Sequence, residues 1–480
     1  MNRRMVLYMV GQMVKVEAAL MVLPLLISVL YHNDCVYSFL ISIAIALVFG
    51  FLLTIVFKPS NHIIYAKEGF VIVALSWLTL SLIGALPFTI SGEIPNYIDA
   101  FFETVSGFTT TGASIVNDVE KLSKGILFWR SFTHWVGGMG VLVFIMAIIP
   151  TTTDRSMHIL KAEVPGPMVG KLVPRLKDTA KILYLIYIAM TLLEFTLLLC
   201  GGMPWFDSAI HSFGTAGTGG FSLKNSSLAG YNPYLQWVIT IFMLLFSLNF
   251  NLYYLLILRK FRSVFKSGEM WCFFGVYACA VVLVTANVYP LYHNASTALR
   301  QAAFQSASII STTGFSTTDF NLWPGLSKAI LLLFMFIGGC AGSTAGGLKS
   351  ARIVLIVKII KRELKRMLHP RSVENIRLEG KKVDNLTLNG VTTYFALYAV
   401  CFVLVFFVLS FEDFSIETNI SATAACFNNI GPGLGAVGPA SNYFAYSAIS
   451  KIALSLAMLL GRLEIYPILI SLTPSTWAKK

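Results

Sequence analysis

The sequence predicts an all-α polytopic membrane protein, built as four repeats of span, half-helix, glycine turn and span that converge on a pore. Three observations predict it. Of 480 residues, 56% are hydrophobic and 12% charged, against about 25% charged in an ordinary soluble domain, and the mean hydropathy is +0.73. Apolar stretches able to cross a bilayer, about 20 residues at 1.5 Å each, recur near 5–30, 38–57, 69–91, 125–150, 181–202, 233–258, 270–291, 326–348, 391–411 and 443–471. Between them lie shorter apolar segments ending in turns rich in threonine and glycine.

The first stretch is interrupted by Lys15 and Glu17, and no small-residue cleavage site follows, so it reads as a span and not as a cleaved signal. Charge then orients the chain. Of 36 lysines and arginines, 28 fall in the N-terminal arm, the connections 58–68, 151–181, 259–269 and 349–387, and the C-terminal Lys479 and Lys480; Lys121, Lys124, Lys224, Arg300 and Lys328 occupy the opposite side. That bias places both termini in the cytoplasm, with the cytoplasmic inner membrane as the location. The net charge of +13 is therefore a topology signal, and nucleic acid is not expected as a partner. The seven cysteines contain no CxxC pair and mostly sit in apolar stretches, which argues against a disulfide framework or a zinc knuckle.

The four half-helices end at Thr110-Thr111-Gly112, Thr218-Gly219, Thr312-Thr313-Gly314 and Gly431-Pro432-Gly433. Taking Gly112, Gly219, Gly314 and Gly433 as the matching glycines gives a fourfold internal repeat. Irregular backbone at membrane depth must be buried in protein or line a watery cavity, because lipid cannot satisfy its N–H and C=O groups. Four such turns converge on a pore whose carbonyls replace a cation's hydration shell, and the half-helices aim their negative C-terminal ends at it. Pro432 is read as standing where the other turns have threonine, which removes one hydroxyl and one N–H from that quadrant.

These turns, together with Phe128-Trp-Arg-Ser-Phe-Thr-His-Trp-Val-Gly-Gly-Met-Gly140, Ser247-Leu-Asn-Phe-Asn-Leu252, His369-Pro-Arg371 and Gly461-Arg-Leu-Glu-Ile-Tyr-Pro467, give a chain that resembles the TrkH-type membrane subunits of the Trk/Ktr/HKT potassium transporter superfamily along essentially its whole length. The resemblance implies four span–half-helix–filter–span units around a pseudo-fourfold pore, preceded by two N-terminal spans, with a two-span extension over 1–68 and pore repeats over 69–181, 182–269, 270–387 and 388–480. It also implies potassium as substrate, a homodimer, and a cytosolic nucleotide-binding regulatory ring of the TrkA type, with no cofactor on this subunit. Glycine at position 112, where serine goes with sodium permeation in that family, points to potassium.

The stretch at 326–348 breaks into glycines at Gly338, Gly339, Gly342, Gly346 and Gly347, each costing about 1 kcal/mol in a helix. A Walker A loop is excluded because Leu348 separates Gly347 from Lys349 and no Walker B strand pattern accompanies it. The expectation is an intramembrane loop below the filter, closing the pore together with Arg462, a mid-span charge that needs a partner or water; the family resemblance implies the same gate. His134 and His211 are expected to pack or cap, Asn249 and Asn251 to bond between helices, and Glu194 has no evident partner. The basic 349–387 stretch can meet anionic lipid headgroups or a soluble partner. No arrangement of residues suggests an enzyme. The rival reading is a broken-helix carrier moving an anionic solute toward positive half-helix ends.

Overall fold

A computed structural model describes residues 1–59, 64–140, 176–371, 374–378 and 381–477. The basic residues Arg155, Lys161, Lys171 and Arg175, and the second half of the apolar stretch at 125–150, lie outside the described residues.

Among the described residues, six helical segments are long and apolar enough to span a bilayer: Arg3–Leu30, Val36–Val56, Ala66–Ile90, Ala180–Cys200, Gly268–Tyr292 and Asn385–Leu409. Their outer faces carry exposed leucine, isoleucine, valine and phenylalanine, as in Leu40, Ile41, Val48, Leu52 and Ile55 of the second span. This is the surface a lipid solvent requires. The first two spans cross tightly because a Cβ on Gly11 would stand 3.0 Å from the Gly50 carbonyl oxygen, and the converse holds for Gly50. Small residues at such crossings let the backbones approach in the absence of a hydrophobic force between helices.

Three of the ten expected spans come out differently among the described residues. Gly325–Ile337 is a helix of 13 residues, too short to cross alone, and of the stretch 125–150 the described part forms the helix Lys124–Gly138. The stretch at 233–258 bends by 92° between Pro233–Phe246 and Phe250–Ile257, and that at 443–471 by 119° between Ala448–Arg462 and Tyr466–Leu472. The groups freed at the first bend are taken up by the glycine-rich segment: the Ser247 carbonyl accepts from the Cys340 N–H at 2.9 Å, and the Phe250 N–H donates to the Gly342 carbonyl at 3.1 Å. Among the described residues, strand pairing is limited to Arg377–Leu378 against Lys381–Lys382.

The half-helices are Tyr97–Phe108, Trp205–Gly217, Ala295–Ile310 and Ile416–Phe427, of 12, 13, 16 and 12 residues. At 1.5 Å per residue they reach roughly 18–24 Å, short of a ~30 Å hydrocarbon core. Local chemistry starts them. Asn96, Asn294 and Ser415 accept backbone N–H groups of the first turn through their side chains, and Pro204 precedes the second half-helix. The helix Lys124–Gly138 wedges its end between two of them, since a Cβ on Gly137 would meet the Phe108 carbonyl oxygen at 1.9 Å and one on Gly138 the Gly217 Cα at 2.7 Å.

Candidate functional site

All four half-helices end in the same way. Thr110, Thr218, Thr312 and Asn429 adopt left-handed φ values of 54–58°. Their N–H groups donate three residues back, and those of Thr111, Gly219, Thr313 and Ile430 donate five residues back, to Ser106, Gly214, Ser308 and Ala425 at 2.8–2.9 Å. This is the Schellman cap, in which glycine normally takes the left-handed position. Three β-branched threonines there are outliers that cost energy and mark a functional turn. The next left-handed residues are Gly112, Gly220, Gly314 and Gly431.

This geometry corrects the register read from sequence. The glycines related by the fourfold pattern are Gly220, one residue beyond Gly219, and Gly431, two before Gly433. Pro432 does not replace a threonine; it follows Gly431 and corresponds to Phe221 and Phe315. The threonine position of the fourth turn is filled by Asn429, whose amide donates to Thr111 Oγ1 at 3.0 Å and to the Met458 carbonyl at 2.9 Å.

The four turns close into a ring. A Cβ on Gly112 would stand 1.9 Å from the Gly219 carbonyl oxygen, one on Gly220 2.1 Å from that of Thr313, one on Gly314 2.0 Å from that of Ile430, and one on Gly431 2.7 Å from that of Thr111. Each glycine thus abuts the carbonyl of the residue preceding the glycine in the next quadrant, and the fourth returns to the first. All four glycines line one cavity of about 290 Å³, walled by the segments that follow the turns, among them Ser114, Asn117, Ser222, Ser316 and Tyr443.

Several side chains brace the ring. His134 bonds through Nδ1 to the Gly107 carbonyl at 2.7 Å and accepts the Phe221 N–H at Nε2, 3.3 Å away, which fixes one neutral tautomer between the first and second turns. His211 bonds the Asp207 carbonyl and Ser222 Oγ, so both histidines hold backbone and loop in place. Arg130 pairs with Glu103 at 2.7 Å, both buried, and its guanidinium also donates to Ser114 Oγ. Tyr443 donates to the Gly431 carbonyl at 2.7 Å. Sequence reasoning missed Glu103, Arg130, Asn429 and Gly220 as parts of the site.

Against the C-terminal ends of the half-helices lies the segment 338–349. Its Gly346 N–H donates to Thr312 Oγ1 at 2.6 Å, and a Cβ there would meet the Asn428 carbonyl oxygen at 2.4 Å. Gly338, Gly342 and Gly347 have φ of 67–75°; Gly339 packs its backbone on Ala345. Arg462 donates to the Thr344 carbonyl at 2.7 Å and to those of Gly137 and Gly138 at 2.6 and 2.7 Å. The glycine segment and the arginine expected to meet it are therefore in contact. Lys349 and Arg352, read from sequence as the start of a cytoplasmic basic stretch, are buried: Lys349 Nζ donates to the Ala345 carbonyl and Arg352 pairs with Glu464 at 2.5 Å. Asn249 caps the helix after the first bend and lies 3.1 Å from where a Cβ on Gly342 would be. Glu194 is fully buried in the Leu176–Cys200 helix.

Spans, re-entrant half-helices and a closed ring of backbone turns define a membrane transport protein with a pore-type architecture. The chain belongs to the TrkH family, described as cation transport protein, whose pattern it matches over residues 36–478. It is 38% identical to the Trk system potassium uptake protein TrkH of Salmonella typhimurium and 37% to that of Escherichia coli K12, in each case over 99% of this chain and 100% of the relative. The crystal structure of the potassium transporter TrkH from Vibrio parahaemolyticus superposes with a TM-score of 0.89 at 34% identity, over 100% of both chains.

Proposed function

We propose that this protein takes up potassium through the ring formed by Thr110, Thr111, Gly112, Thr218, Gly219, Gly220, Thr312, Thr313, Gly314, Asn429, Ile430 and Gly431. The observation that carries the reading is ring closure, with each glycine seated on the next quadrant's carbonyl. Carbonyl oxygens collected around an axis by left-handed backbone substitute for the water around a monovalent cation without any carboxylate. The C-terminal ends of four half-helices face the same turns, so the partial charge there favours cations over anions. The Thr110 hydroxyl, buried and without a hydrogen-bond partner among the described residues, is available as a further oxygen ligand.

Segment 338–349 and Arg462 act as the gate. They meet at the C-terminal ends of the half-helices, where a cation leaving the turns would encounter the guanidinium. The charge bias of the connections supports cytoplasmic termini in the inner membrane. The naming of the relatives after a Trk system supports work with further Trk components, which we assign as a TrkA-type cytosolic nucleotide-binding ring and a second copy of this chain.

Reconstitution tests this reading. Purified protein in liposomes is expected to pass rubidium or potassium down a gradient, with a reversal potential that follows the potassium gradient. Anion flux without cation flux would overturn it.

A further inference from the structure

The helix Ser350–Leu368 leaves the gating segment directly and lies where the spans Gly268–Tyr292 and Asn385–Leu409 begin. Its Leu355 is packed in a cluster with Ile376, Leu378, Val383, Leu388 and Val391. Ser350, Ala351 and Arg352 are buried and Val354, Ile356 and Ile359 pack against the same cluster, but the outward face of the helix is not covered. Val357, Ile360, Leu364 and Leu368 are exposed at helical spacing, and Lys358, Lys361 and Lys365 form a stripe beside them. A cavity of about 320 Å³ opens between this helix and the neighbouring span, lined by Gly268, Cys272, Ile353, Val354, Val357 and Lys358. Exposed Trp271 adjoins it in sequence, its indole N–H donating to the Phe265 carbonyl.

We propose that this crevice is a site for an anionic phospholipid. An acyl chain fits the wall of Cys272, Ile353, Val354 and Val357, and the headgroup phosphate meets the ammonium groups of Lys358 and Lys361. Lys358 uses one N–H on the Arg377 carbonyl at 2.8 Å, which holds its charge at the rim and leaves two donors for the phosphate. An apolar stripe flanked by lysines at the ends of two spans matches a bilayer interface, where basic residues attract anionic headgroups and tryptophan sits at headgroup level. The occupant is thus a membrane lipid. A soluble acidic partner would satisfy the lysines but would leave Val357, Ile360 and Leu364 facing water. The inference rests on the chain's place in a membrane and not on which ion it carries.

Native mass spectrometry of the full-length protein, exchanged into detergent with phosphatidylglycerol or phosphatidylcholine, tests the site. One phosphatidylglycerol per chain is expected to be retained, and phosphatidylcholine is not expected to replace it. Lys358→Gln should weaken retention about fivefold, as one interfacial cation does, and Val357→Trp, which fills the crevice, should abolish it while unfolding temperature and rubidium flux in liposomes stay measurable. Equal retention in both variants, or equal retention of the two lipids, would mean an ordinary lipid annulus and overturn the proposal. So would a Lys358→Gln defect confined to binding of a soluble partner.

Discussion

Thr110, Thr218 and Thr312 occupy a backbone region that β-branched side chains avoid, and they do so at the same place in three quadrants. Such strain is held only where the surroundings over-determine it, and here each turn is fixed by its cap bonds and by a glycine wedged on its neighbour. Crowding at Gly112 should therefore act on the ring before anything else. Gly112→Ser is expected to lower the potassium-to-sodium permeability ratio by about tenfold, equivalent to ~1.4 kcal/mol, read from bi-ionic reversal potentials. Gly92→Ser is the control: Gly92 also has a positive φ, 77°, but nothing lies within 4 Å of its Cβ position, so the ratio should not move. The threonine–glycine turns were legible because few residues other than glycine tolerate such backbone. Their alignment was not, since Gly219-Gly220 and Gly431-Pro432-Gly433 each offer two candidates, and an asparagine at position 429 hides the threonine position.

Among the elements, the informative ones are those that fail to be straight spans. The bend after Phe246 is satisfied by Cys340 and Gly342, and the bend after Arg462 places Glu464 against Arg352. The first bend was invisible in the sequence, whereas the second is flanked by Gly461 and Pro467. The stretch Phe246-Ser-Leu-Asn-Phe250 contains neither glycine nor proline, and the second turn puts Glu464 and Ile465, of all residues, at positive φ. The glycine-rich segment itself was legible from its cost to a helix, and Arg462 from its charge in an apolar run. Arg462→Ala removes the guanidinium together with the donor for the Thr344, Gly137 and Gly138 carbonyls. Potassium uptake per folded protein, measured without any partner, is expected to rise several-fold. Deleting Gly338–Gly342 should also raise it, and the two changes together should be less than additive because they disable one barrier. Loss of flux in both single variants at normal folding would refute the gate.

At the scale of the whole molecule, the last repeat must find the first. Lys451 meets Asp99 at 2.6 Å, both buried and 352 positions apart, and Asn429 reaches Thr111 across 318 positions. Removing one partner of a buried pair strands the other, at about 3–5 kcal/mol. Asp99→Asn and Lys451→Met should each lower the unfolding temperature in detergent, and the double variant should recover part of the loss. If the single effects simply add, the pair does not couple the repeats. No spacing rule in the sequence links these positions, so ring closure could be anticipated only from the repeat itself.

The same separations bear on how the protein is made. At roughly 5–20 residues per second, Thr111 leaves the ribosome something like 15–60 s before Asn429 exists to donate to its hydroxyl oxygen and Gly431 to cover its carbonyl. Asp99 waits longer still for its lysine. By the end of that interval three quadrants sit in the bilayer with an open flank of unsatisfied backbone, which lipid cannot solvate. The nascent chain must therefore shelter that flank inside the insertion machinery or keep it wet. A message truncated before Asn429 leaves an open-sided ring that quality-control proteases can recognise.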